Sequence, residues 1–269
     1  GSKVETNNIA YDAETGDVLL TQTTTDFNDQ VYNFTYPAHW YYDGMGQAYR
    51  NVGYTVNSVS SFSNGVTGAL NANMCVPGDE IGIIQAGVLK LGWVTEVSGS
   101  SAKVVLKDGS PVTGAVQKIK ILRSGRKNLQ NTSIGTIVMR DNPLNGLTAN
   151  LLEKIIQAGA VEYVDEWGTF CECFTDSELE NATTNPYVVG LKGNWREKAS
   201  YLHLTGRTQT YENTNSNIRE DGVFTSFTPF YKLVGGNWNI DRQNWTYATS
   251  VTEFSPFGQA LEIVDPLNR

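Results

Sequence analysis

Between residues 76 and 123 the chain is cut repeatedly by turn-forming residues: Pro77-Gly78-Asp79, Gly87, Ser98-Gly99-Ser100, Asp108-Gly109-Ser110 and Gly114. Breaks of this kind leave segments of strand length, rich in Val and Ile, and no room for a sustained helical period. Residues 81–84, 92–97, 102–106 and 117–122 therefore predict short strands. Turn signals about every 8 to 12 residues fit a small barrel or sandwich. No other feature restricts the fold as tightly.

The flanking sequence agrees with it. Residues 18–25 and 31–36 are β-branched and aromatic, with Asp26, Asn28 and Asp29 as turn formers between them, and predict a hairpin. Pro37 ends its second strand, and Trp40, Tyr41 and Tyr42 follow as an aromatic plug. Further strands are expected within 49–62 and at 134–139, 161–167, 170–174, 200–205, 208–212, 223–227 and 245–254, with Gly235-Gly236-Asn237 as a turn. Phe227-Thr228-Pro229-Phe230 is echoed by Phe254-Ser255-Pro256-Phe257. One helix is expected at 147–158, where Leu151, Leu152, Ile155 and Ile156 share a face, Asn150 and Glu153 form a capping box and Gly159 stops the run. The fold class is mainly β: antiparallel sheets and hairpins, a small inserted barrel-like subdomain and one short helix. Three parts are expected: 1–75, the hairpin and plug; 76–140, the small β subdomain; and 141–269, the helix and a hairpin-rich region packing on 1–75.

A net charge of −8 and a pI near 4.8 disfavour phosphate backbones, and no basic run exceeds Arg123-Ser124-Gly125-Arg126-Lys127, so nucleic acid is not expected as a partner. No apolar run reaches the roughly 20 residues of a bilayer-spanning helix, and no membrane insertion is expected. Gly1-Ser2 reads as a remnant of tag removal, which places the natural start elsewhere.

Chemistry-bearing residues are sparse. The only histidines are His39 and His203, no G-x-S-x-G elbow occurs, and Ser124 lies in a basic turn, so the reading leans against an enzyme. Carboxylates for glycoside hydrolysis would come from Asp165, Glu166 and Glu172 near Trp167. A noncatalytic sugar surface would use Trp40, Tyr41, Tyr42 or Trp167. Cys171 and Cys173, two apart on a strand, sit about 7 Å from each other, too far for a relaxed mutual disulfide. With Cys75 and one histidine they make a weak zinc set; buried structural cysteines or one Cys75 bridge are the alternatives. Asp12, Glu14 and Asp17 around Gly16 lack the calcium-loop register of an EF-hand and read as a turn. No cofactor is expected, with calcium or zinc as unsupported options.

The opening Tyr11-Asp12-Ala13-Glu14-Thr15-Gly16, followed by Asp17-Val18-Leu19-Leu20-Thr21, resembles very large surface or secreted proteins of the Bacteroidota with Rhs/YD-repeat-like character. Asp265-Pro266-Leu267-Asn268-Arg269 resembles the Asp-x-x-Gly-Arg turn of such repeats, with Asn268 in the glycine place. The resemblance implies an extracellular or cell-surface piece of a longer polypeptide, whose partners are other domains of that parent protein. The expected function is a noncatalytic structural or interaction domain, with a carbohydrate-binding module or glycoside hydrolase as the alternative.

Overall fold

The computed structural model describes residues 4–27, 29–146, 154–165, 184–204, 207–208, 223–224, 227–255 and 259–267. These contain eighteen strands and, as helical structure, only short 3-10 turns, so the mainly β expectation holds. In chain order the strands are β1 (Glu5–Tyr11), β2 (Val18–Thr24), β3 (Gln30–Pro37), β4 (Thr55–Phe62), β5 (Val66–Thr67), β6 (Glu80–Gln85), β7 (Val88–Val97), β8 (Ala102–Leu106) and β9 (Gly114–Arg123). They continue as β10 (Ser133–Met139), β11 (Ile155–Val164), β12 (Arg196–Leu204), β13 (Arg207–Thr208), β14 (Val223–Phe224), β15 (Tyr231–Val234), β16 (Asn237–Ile240), β17 (Thr246–Phe254) and β18 (Ala260–Val264).

Two sheets carry the architecture. The larger has eight antiparallel strands in the order β1-β2-β3-β10-β11-β12-β17-β18. The smaller runs β4-β9-β6-β7-β8-β5, and a bridge from Ser63 to Val66 brings its outer strands together into a nearly closed barrel. Because β3 pairs directly with β10, the barrel is an excursion between two neighbours of the large sheet. It takes β4 and β5 from ahead of Val76, and its last strand ends at Arg123, while 133–139 joins the large sheet. Closure explains that extent: β4 and β5 cover the edges that β9 and β8 would otherwise expose.

The expected helix is corrected where it can be seen. Residues 155–158 open strand β11, and 147–153 lie outside the described residues. Pairing with β10 on one side and β12 on the other overrides the local helical spacing. Alternation then sets the faces, with Ala158, Ala160 and Glu162 buried on one side. Small residues matter there, because the rings of Phe227, Phe230, Tyr231 and Trp245 pack over this part of the sheet. Each ring buried in this way stabilises the fold by about 1.5–3 kcal/mol. The β15–β16 hairpin turns at Gly235 and Gly236, both with positive φ, as the Gly-Gly-Asn signal implies. The barrel has its own core of Ile81, Ile83, Val94, Val104, Ile119 and Ile121, among others.

One carboxylate pins together the segments by which the chain enters and leaves the barrel. Asp79, fully buried, accepts the Gly125 N–H (2.6 Å), the Asn51 amide (2.7 Å) and the Val76 N–H (2.9 Å). Burial pushes its carboxyl above the ordinary range, against the pull of those donors and of the Arg126 charge. Gly125 has no room for a side chain, since a Cβ would stand 2.3 Å from the Pro77 carbonyl. Beyond it, the amides of Lys127, Asn128 and Leu129 donate to the carbonyls of Gly44, Gly46 and Met45. Arg126 closes the seam with a two-pronged contact to Asp43, at 2.8 and 3.3 Å.

Candidate anion-binding cleft

The residues singled out in the sequence divide into three groups. The aromatic plug is braced into the fold. Trp40 packs edge-on against Tyr36, and Tyr41 meets Tyr42 and Tyr231 with ring centroids 4.6 and 4.8 Å away. The Tyr42 hydroxyl accepts the Tyr163 N–H at 2.9 Å, which ties the plug to β11. The three rings are half-buried and spend their faces largely on other aromatic side chains.

The second group comprises the two histidines, Asp12, Ser124 and Cys75. His39 Nε2 and Asp12 Oδ2 are buried 3.0 Å apart, off hydrogen-bond alignment. Asp12 also organises its own turn, accepting the Glu14 N–H on its carboxylate and the Gly16 N–H on its carbonyl. Ser124 donates to Asn51 Oδ1 at 2.7 Å and accepts the Arg126 N–H, so its hydroxyl is engaged away from either histidine. His203 is buried against the rings of Phe227 and Trp245. Cys75 is a buried free thiol pushed up to about 12 by burial and by the nearby Asp79 charge, which leaves it a poor nucleophile.

The third group is only partly visible. Asp165 is half-exposed just after β11; Glu166, Trp167, Cys171, Glu172 and Cys173 lie outside the described residues. Among the described residues no three His, Cys, Asp or Glu side chains are grouped to hold a metal ion.

Elsewhere the fold assembles a site in which Arg123 and Lys127, from the longest basic run, meet residues that the sequence does not single out. An open cleft of about 450 Å³ lies between the barrel and the segment 184–194. Strand β7 supplies Trp93, the end of β8 leads to Lys107, and β9 ends at Arg123. Lys127 follows on the loop pinned to Gly44. The opposite wall carries Tyr187 and Lys192. That wall is pegged by Asn185, 1% exposed, whose amide donates to the Leu106 carbonyl (3.1 Å) and accepts the Tyr187 N–H (3.0 Å). One edge of the Tyr187 ring rests close against Gly78 and Gly193, where a Cβ would approach to 3.1 and 3.2 Å. The tyrosine is thus positioned before any ligand arrives.

Comparison of the chain with family models, with curated proteins and with solved structures returns no match. The reading therefore rests on the cleft's own chemistry.

Its charge runs against that of the molecule. Four cations line the cleft, against the single acid Glu80, which stands 3.7 Å from Arg123. From Thr55 to Lys127 the chain has eight Lys and Arg against four Asp and Glu; the remainder has twelve against twenty-four. An acidic molecule thus carries a basic module. A whole-chain charge conceals the split, and a count taken segment by segment reveals it.

Proposed function

We propose that this chain is a noncatalytic interaction domain of a large exported bacterial protein, and that it works by holding an anionic ligand in the basic cleft. One observation carries the reading: Lys107, Arg123, Lys127 and Lys192 converge around Trp93 and Tyr187 in a chain whose net charge is −8. Like charges gathered in one place repel each other, and a fold that tolerates them commonly does so for a partner of opposite sign. The shape supports binding over turnover, since the cleft is open and its charged groups are four cations and one acid, with no histidine in its lining. The candidate nucleophiles in view, Ser124 and Cys75, are respectively engaged with Asn51 and held as a thiol. The exported, multi-domain context is supported by the Bacteroidota-like Tyr11 to Thr21 segment.

The test is retention of the purified chain, at low salt, on matrices bearing sulfate, carboxylate or phosphate groups. Wild type should be held by at least one of them and released by salt, because exposed charge pairs are screened within about 10 Å at 0.1 M. Lys107→Glu/Lys127→Glu should pass through. Indifference of wild type to every matrix, or equal retention of the double variant, would overturn the reading.

A further inference from the structure

Resting on that reading, we propose that the cleft's ligand is an acidic glycan, with sugar rings against Trp93 and Tyr187 and carboxylate or sulfate groups paired with Lys107, Arg123, Lys127 and Lys192.

Three observations lead from an anion to a sugar-borne one. Firstly, the cations are interleaved with two large rings: Trp93 is half-buried on β7, Tyr187 is seated against two glycines, and both line the cleft. An isolated inorganic ion or a run of carboxylates has no use for aromatic faces, whereas the C–H face of a pyranose does. Secondly, the site has the extent of a chain. A second cleft of about 340 Å³ lies along the segment 184–191, is lined by Thr95, Pro186, Leu191 and the Lys103–Glu96 ion pair, and shares Lys192 with the first. A polymer crossing Lys192 would occupy both. Thirdly, the rest of the molecule is acidic. A nucleic acid also stacks and pairs, but duplex DNA carries a charge about every 1.7 Å, and twelve bases against twenty-four acids outside the barrel would repel it along its length. A glycan with one charge per sugar can meet the four cations locally and present hydroxyls elsewhere. Arg123 suits a planar carboxylate or a sulfate, and its guanidinium is exposed, with Glu80 3.7 Å away.

The experiment is titration of the whole chain at low salt, followed by tryptophan fluorescence and calorimetry. The probes are an oligogalacturonate, a sulfated heparin oligosaccharide, a neutral β-glucan oligosaccharide, an oligo-dT and a polyglutamate peptide of matched length. The expected result is saturable binding of a carboxylated or sulfated oligosaccharide and at least about tenfold weaker binding of the neutral glycan, the oligo-dT and the peptide. Trp93→Ala should weaken the acidic glycan about 3- to 10-fold, the range of one aromatic contact, and Trp93→Phe should restore part of it. Lys127→Ala, at an exposed side chain where folding is not at stake, should also weaken it and flatten its salt dependence. Oligo-dT or polyglutamate binding as tightly as the acidic glycans would overturn the glycan assignment and leave the anion-binding reading standing. Equal affinity for neutral and acidic glycans would remove the role of the cations. No binding by any probe would remove both proposals.

Discussion

Asp79→Ala isolates the carboxylate that pins the segments entering and leaving the barrel. The substitution deletes the acceptor of three hydrogen bonds, from Gly125 N–H, Val76 N–H and the Asn51 amide, at a position with no solvent exposure. Two backbone donors are left buried without a partner, at about 1–3 kcal/mol each. Asn51 keeps the Ser124 hydroxyl and a long contact to the Met74 carbonyl, so its share is smaller. Removing a carboxylate that burial disfavours offsets part of the loss. The sum is about 3–5 kcal/mol, a large fraction of the roughly 5–15 kcal/mol that separates folded from unfolded domains. In a urea titration with a slope near 2.5 kcal/mol/M, the midpoint should fall by about 1.5 M. Asp79→Asn keeps one acceptor for Gly125 N–H and should cost about half as much. An alanine variant within about 1 kcal/mol of wild type would refute the reasoning. Equal losses for asparagine and alanine would show that charge, and not the number of acceptors, is what the seam requires.

Four other substitutions bear on the fold. Burial holds the His203 imidazole below its ordinary 6.5, so the unfolded chain takes up its proton first as the pH falls. Stability should therefore drop from pH 6.5 downwards until the folded imidazole also titrates, and His203→Leu should flatten that slope in denaturant titrations at pH 7.5, 6.5 and 5.5. Gly159→Ala places a methyl at ordinary contact distance, 3.6 Å from Thr136 Oγ1, and should raise stability by about 0.4–1 kcal/mol. Gly135→Ala meets the Gly159 carbonyl oxygen at 2.8 Å and should lower stability by about 1–3 kcal/mol, with the two melting temperatures moving in opposite directions. Trp40→Ala removes a half-buried ring packed on Phe34 and Tyr36 and should cost about 2–3 kcal/mol without changing affinity for any anion.

Much of the architecture was legible because turn residues are local signals. The breaks at Pro77-Gly78-Asp79, Ser98-Gly99-Ser100 and Asp108-Gly109-Ser110 separate strands where expected, and β8 runs over 102–106 as read from sequence. The segment 155–158 misled for a physical reason: Ile155 and Ile156 suit a helical face, but β10 and β12 supply ladder partners that a local pattern does not contain. The barrel's use of 55–67 was hidden in the same way, since closure is a property of both edges and not of either strand. Tyr41 and Tyr42 drew attention as neighbouring aromatics, and the fold uses their rings in long-range contacts with Tyr231, Tyr163 and Trp195. The cleft residues were the least legible. Lys107 and Lys192 stand 85 residues apart in an acidic chain; the barrel brings Lys107 to Arg123 and Lys127, and the packing of 184–194 on it adds Lys192.

That placement can be tested through the indole N–H resonances of the six tryptophans during titration with an acidic oligosaccharide. Trp93 lines the cleft, whereas Trp40 belongs to the plug and Trp245 is packed over the large sheet. The Trp93 signal should move in a saturable way while those of Trp40 and Trp245 stay in place. A shift centred on Trp40, with Trp93 unmoved, would contradict the account and return the binding surface to the aromatic plug.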